Sequence, residues 1–147
     1  MSDVGDISTP EGLAKAVEVL SEEQLVARVT ALGVDMVLDK VFDGMAQAFL
    51  PEKAGNQSAD IQYDVNTPDG VKTYHVQVVN RACTTASGPA AKPRVILRLS
   101  LVDFLRLITN HLNGAHAFMT GKLKLQGDIF FATTMETWFK KPGTRSV

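Results

Sequence analysis

The stretch HAFMTGKLKLQGDIFFATTMETWF, residues 116–139, decides the fold, because two incompatible elements could follow its glycine-lysine pair. A phosphate-binding loop needs G-x-x-x-x-G-K-[ST] between a strand and a helix. Here six residues separate Gly114 from Gly121, and Leu123 follows Lys122 where a hydroxyl would be required. Lys122 to Gln126 instead alternates, with Leu123 and Leu125 on one side and Lys122, Lys124 and Gln126 on the other, which is the pattern of a half-buried strand. Gly127-Asp128 then opens a helix predicted over Ile129 to Phe139, with Pro142-Gly143 as its stop. On a wheel, Phe130, Phe131, Thr134, Met135, Trp138 and Phe139 fill roughly half the circumference. Such a face is either an ordinary core helix or the wall of an apolar cavity, and periodicity alone does not separate the two.

Upstream, Ser100 is placed to cap a helix in which Leu101, Phe104, Leu105, Ile108 and Leu112 share a face and Asn113-Gly114 closes it. Arg94 to Leu99 reads as a strand. Ile61, Tyr63 and Val65 alternate with polar neighbours, and so do Tyr74, Val76 and Val78, with the turn Thr67-Pro68-Asp69-Gly70 between the two runs. That is an antiparallel hairpin. Arg81 to Ser87 gives a poorer third strand. Ahead of the sheet lie a loose leader (Ser2 to Pro10) and helices at Glu11 to Leu20, at Leu25 to Leu32 behind a capping box Ser21-x-x-Gln24, and from Val34 to a stop at Pro51. Helices first and a mostly antiparallel sheet after them make an α+β fold. Residues 1–33 form an N-terminal helical extension and residues 34–147 the main unit.

The chain of 147 residues has one cysteine, Cys83, so it holds no internal disulfide and no cysteine metal cage. It has no signal-peptide pattern, and its last residues, Arg-Ser-Val, do not spell the peroxisomal address Ser-Lys-Leu. Together these features predict a cytoplasmic protein. The net charge of −1 argues against nucleic acid as a partner. Its distribution is uneven: residues 1–70 carry 4 Lys/Arg against 13 Asp/Glu, and residues 71–147 carry 11 against 3. Either the basic half meets an anionic surface, or the two halves fold together and their fields cancel.

Catalytic signals are poor. His111 and His116 do not share a helix face, no carboxylate pair stands out, and no metal-ligand set or cofactor motif can be assembled. Cys83 with His75 on the neighbouring strand is the one nucleophile and base that the residues suggest. The chain reads as a non-enzyme.

SLVDFLRLITNHLNGAHAFMTGKLKLQGDIFFATTM, residues 100–135, resembles the sterol carrier protein 2 family of non-specific lipid-transfer proteins. The shared elements are Asp103-Phe104 opening a helix, Gly114, Phe118 ahead of Gly121 to Lys124, and the step Gly127-Asp128. FLPEKAGNQSADIQYDV and YHVQVVN extend the likeness, which runs from about Val34 to Phe139; NRACTTASGPAAKP departs from it. The resemblance implies a curved five-stranded sheet with helices on one face enclosing an apolar tunnel. It also implies binding and transfer of fatty acyl chains, acyl-CoA, sterol-like lipids or phospholipids without covalent chemistry. The lining falls to Phe104, Ile108, Phe118, Leu125, Phe131, Met135 and Phe139, with Trp138 as a gate at the mouth. Lys122, Lys124, Lys140 and Lys141 are expected to meet anionic headgroups or a membrane surface, unless they are simply solvated. The missing peroxisomal tail suggests a bacterial or archaeal source. The N-terminal helices are free to cover the sheet, plug the tunnel or form a homodimer contact. The alternative function is an interaction or dimerisation module that keeps the fold without transport.

Overall fold

A computed structural model of the chain describes residues 10–140. The leader ahead of residue 10, Lys141 and the stop at Pro142-Gly143 lie outside the described residues.

The sheet grows from the Thr67–Gly70 turn. Gly70 takes φ +100, and the Asp69 amide donates to Thr67 Oγ1 at 3.1 Å, so β1 (Ala59–Thr67) and β2 (Gly70–Val79) pair antiparallel as the turn chemistry predicts. The next turn needs no glycine. Asn80 and Arg81 take φ 53 and 62, two consecutive left-handed residues of the kind a tight hairpin requires, and β3 (Ala82–Ser87) follows.

The loop from β3 crosses the sheet, held by the Ala90 amide donating to Gln62 Oε1 at 3.1 Å and by the Arg94 amide donating to the Asp60 carbonyl at 2.7 Å. It delivers β4 (Val95–Ser100) parallel to β1, and β5 (Leu123–Gly127) then adds antiparallel to β4. The order is β3-β2-β1-β4-β5, a mixed sheet with one parallel pairing.

Register puts Tyr63 between Tyr74 and Leu97, and Leu97 beside Leu125, so one face carries the apolar residues of every strand. The other face is polar. There Asp64 accepts from Gln62 Nε2 at 3.1 Å, Thr73 Oγ1 at 3.0 Å and Arg98 Nε at 3.2 Å.

The helices cover the apolar face. α1 (Pro10–Val19) and α2 (Glu22–Leu32) precede α3 (Val34–Gln47), and the predicted capping box forms, with Ser21 and Gln24 bonded in both directions at 3.0 and 3.2 Å. Phe42 of α3 stacks on Tyr74 at 4.5 Å and on Phe104 at 5.2 Å, and it meets the edge of Tyr63 at 5.5 Å. This aromatic cluster ties α3 to the sheet and to α5 (Leu101–Ile108). The Tyr74 hydroxyl ends on Asp39 Oδ1 at 2.6 Å. α1 and α2 pack against α5 and share its core.

Three expectations change. Pro51 does not stop α3, which ends at Gln47; it begins α4 (Pro51–Ala54), where a missing amide costs nothing. Asn113-Gly114 does not close a helix. α5 ends at Ile108, and Asn113 caps a new α6 (Gly114–Met119) by accepting from the His116 amide at 3.0 Å. The last helix, α7, is Ile129–Glu136 and stops three residues early, because Phe139 leaves it to pair with Phe49.

The two charge halves do fold against each other. Among the described residues, Lys72–Asp35 at 3.1 Å, Arg98–Asp64 at 3.2 Å and Arg106–Glu22 at 3.0 Å each join the basic half to the acidic one.

Candidate functional site

α7 is clasped at both ends. At its start, Gly127 takes φ +105, and a Cβ there would lie 2.5 Å from the Arg94 carbonyl oxygen, so only glycine fits. Asp128 caps the helix by accepting from the Phe131 amide at 2.9 Å and pairs with Arg94 Nε at 3.1 Å. The Phe131 amide first, and Arg94 after it, hold the Asp128 carboxyl below the usual carboxylate range. The Arg94 guanidinium also lies 4.1 Å over the Phe131 ring. Beyond the helix, the Trp138 carbonyl accepts from the Leu50 amide at 2.6 Å and the Lys140 amide donates to the Ala48 carbonyl at 2.9 Å. Phe139 packs on Phe49 with ring centres 5.7 Å apart.

The face that α7 buries differs from the predicted one. Phe131, Ala132, Met135 and Trp138 are buried, while Phe130 is 86% exposed. At about 100° per residue, Phe130 lies about 140° from Met135, whereas Ala132 falls only about 60° from it. The wheel weighed side-chain size, but the clasps at Asp128 and Trp138 set the rotation.

The other predicted lining residues divide. Phe104 is buried in the aromatic cluster, and Phe131 meets Trp138 edge-on at 5.3 Å. Ile108, Leu125 and Phe139 are half-buried against the core, with Leu125 on the sheet's apolar face as alternation predicts. Phe118 stands 39% exposed on α6 and does not join the buried core. Trp138, expected as a gate at the mouth, is fully buried, because it is wedged between α7 and the Leu50 tie. Lys122, Lys124 and Lys140 are exposed, and Lys124, opposite Arg98, projects from the sheet face away from the helices.

Polar groups also reach the apolar layer. The Tyr63 phenol is pushed above its ordinary range by burial and then by the Glu136 carboxylate. Glu136 also lies against Gly114, where no side chain would fit without displacing it. Sequence reasoning placed Arg94, Tyr63 and Phe42 in strands and a helix but gave none of them a role in the site. A lone arginine at a strand start gives no signal when its partner Asp128 stands 34 positions away.

The catalytic pairing is dissolved by parity. Cys83 pairs with Val78 and so shares the apolar face, while His75 lies on the opposite face with Nδ1 3.0 Å from the Gly88 carbonyl oxygen. Burial pushes the Cys83 thiol up to about 11, away from a nucleophile's range. Among the described residues no group of three or more His, Cys, Asp or Glu could hold a metal. A shallow apolar cleft opens elsewhere, between α2 and α5, lined by Val26, Ala27 and Val102 with Glu22 and Glu23.

A model of the SCP-2 sterol transfer family matches residues 46–140. The oleate-induced peroxisomal protein POX18 of Candida maltosa is 33% identical over 116 residues, covering 77% of this chain and 91% of that protein. Sterol Carrier Protein 2 from Yarrowia lipolytica superposes with a TM-score of 0.59 at 22% identity, covering 72% of this chain and 91% of that one. The inverting sec-alkylsulfatase Pisa1 from Pseudomonas sp. superposes with a TM-score of 0.63 at 19% identity over 70% of this chain, which spans only 16% of the sulfatase. At these identities the two structures show a shared fold.

The relatives come from yeasts and a bacterium alike, so the match carries no bacterial signature. POX18, named as peroxisomal, overturns the cytoplasmic placement. Of the features behind that placement, a lone cysteine and a start without a signal-peptide pattern bear on the secretory route, and the Arg-Ser-Val ending bears on one peroxisomal address; none of the three separates cytosol from peroxisome. By its family match and its relative, the chain belongs to the SCP-2 sterol transfer family, a family of carriers, and is not an enzyme.

Proposed function

We infer that the protein binds an apolar ligand, a fatty acyl chain or a lipid of similar length, in a tunnel between α7 and the apolar face of a curved sheet, and carries it without covalent chemistry. The observation that carries this reading is the form of α7: an apolar helix laid over the sheet and clasped at its two ends by Asp128 and Trp138. A helix held at its ends can rise from the sheet without breaking the strands beneath. Phe104, Phe131, Met135 and Trp138 supply the wall, the half-buried Ile108, Leu125 and Phe139 supply positions that can shift, and Phe118 stands at the rim. Enclosing about 400 Å² of acyl chain at about 25 cal/mol per Å² supplies about 10 kcal/mol, and association costs reduce this to micromolar binding. Exposed Lys122, Lys124 and Lys140 offer cations to an anionic membrane during exchange, with Lys141 as a fourth. Membership of a sterol transfer family and identity to an oleate-induced protein support the ligand class.

Native mass spectrometry of the protein taken from cells, followed by titration with a fluorescent fatty acid, tests the reading. A lipid adduct and saturable binding are expected, with loss of both in Ile108→Trp. Neither adduct nor binding in the native chain would end it. A second reading, an interaction module without cargo, is favoured by one observation: the same fold occurs as a small part of the larger sulfatase chain. A lipid-free dimer in the same spectrum would select it.

A further inference from the structure

We propose that Arg94 is the anchor for an oxyanion at the end of the apolar ligand, and that the first turn of α7 is the mouth where that end rests. The proposal deepens the carrier reading and rests on it.

The main chain fixes Arg94 on both sides. Its amide donates to the Asp60 carbonyl at 2.7 Å at the start of β1, and its carbonyl accepts from the Asp128 amide at 3.0 Å where β5 passes into α7. The side chain is 42% exposed. Its guanidinium covers the Phe131 ring at 4.1 Å, and Phe131 in turn meets the buried Trp138 edge-on at 5.3 Å. Arg94 therefore stands where the apolar layer beneath α7 reaches solvent.

A guanidinium has five N–H donors in a plane. Asp128 engages the one on Nε, and among the described residues the two terminal amino groups make no hydrogen bond. The guanidinium carbon lies 4.1 Å from the centre of the Phe131 ring, and the edge that bears the two amino groups has no acceptor among the described residues. That edge matches a carboxylate or a phosphate through two parallel N–H···O bonds, a geometry a lysine cannot offer.

The surroundings suit the end of a lipid. Ile129 is 41% exposed and Phe130 86% exposed, directly after the Asp128 cap, so the cation has an apolar rim. A neutral sterol or ester accepts at most an uncharged hydrogen bond from this group and forms no ion pair with it, so Arg94 favours ionised lipids over neutral ones of the same length.

Three probes on the full chain test the assignment: palmitate, palmitoyl lysophosphatidate and methyl palmitate, each by displacement of a fluorescent fatty alcohol. Arg94→Met is expected to weaken one or both acids about tenfold, the worth of one charge-assisted pair, and to leave the ester within about twofold. The acid that responds identifies the oxyanion as carboxylate or phosphate. Asp128→Asn keeps a good helix cap but removes the carboxylate that competes for Arg94, so it is expected to tighten the acids and leave the ester unchanged. That arm stands even if Arg94→Met fails to fold. Equal weakening of acids and ester in Arg94→Met would make Arg94 a support for α7 and overturn the proposal, as would acids indifferent to both substitutions. Methyl palmitate bound while both acids are refused by the native chain would overturn the anchor alone, whereas refusal of all three would overturn the carrier reading with it.

Discussion

The Leu50 amide donates to the Trp138 carbonyl at 2.6 Å, tying the end of α7 to the residue that precedes Pro51. The tie draws Trp138 into the core, where it is fully buried against Phe131. Trp138→Ala is expected to cost about 3–5 kcal/mol through the cavity it leaves. Phe139→Ala, at a half-buried site, should cost about half as much. Urea unfolding followed by circular dichroism measures both. A loss below about 1 kcal/mol for Trp138→Ala would mean that this end of α7 is not clasped.

Two glycines should respond with opposite signs. Gly127 has φ +105, and a Cβ would meet the Arg94 main chain, so Gly127→Ala should destabilise by about 2 kcal/mol or more. Gly44 lies within α3, and a Cβ there meets nothing within 4 Å. Gly44→Ala should stabilise by about 0.5–1 kcal/mol. The same denaturation assay reads both, and equal signs would contradict the local geometry.

A serine hydroxyl caps α5 by itself and forms one half of the capping box of α2. Ser21 Oγ accepts from the Gln24 amide at 3.2 Å and Ser100 Oγ from the Asp103 amide at 3.1 Å. Each serine-to-alanine change should cost about 1 kcal/mol, and the two should add, since they cap different helices. Midpoints of the two single variants and the double variant check this.

Alkaline pH should weaken the fold. Burial raises the Cys83 thiol from 9.0 to about 11, and it raises the Tyr63 and Tyr74 phenols from 10.0 in the same direction. A raised folded value means that the unfolded chain loses its protons first. The stabilising contribution is therefore complete below about pH 9 and declines as pH climbs through the folded values. The urea midpoint should be flat with respect to these groups from pH 7 to 9 and fall above that. At pH 8 iodoacetamide should modify Cys83 far more slowly in the folded protein than in urea, on the order of a hundredfold. Equal rates would place the thiol outside the core.

Much of the architecture was legible because it is written in short-range chemistry. The Thr67–Gly70 turn, the Ser21 and Ser100 caps, and the alternation of Tyr74, Val76 and Val78 each depend on residues within a few positions of one another. Leu123 and Leu125 found their face by the same rule. β3 was harder to read, since Asn80 and Arg81 adopt a glycine-like backbone without a glycine. α6 was missed because Asn113-Gly114 can end one helix or begin another, and only the break at Thr109 and Asn110 decides between them.

By itself the sequence determined the class of the fold, the order of its strands and longer helices and the apolar character of α7, because periodicity and capping act over one or two turns of chain. Tertiary structure alone decided which side of α7 faces the sheet, that Trp138 is buried and Phe130 exposed, and that Arg94 meets Asp128 and Phe131 at the start of that helix. The rotation of a helix about its axis is set by what holds its ends, and here those partners lie 34 and 88 positions away, at Arg94 and Leu50. No local pattern encodes a contact over that span; it exists once the sheet has brought the strands together.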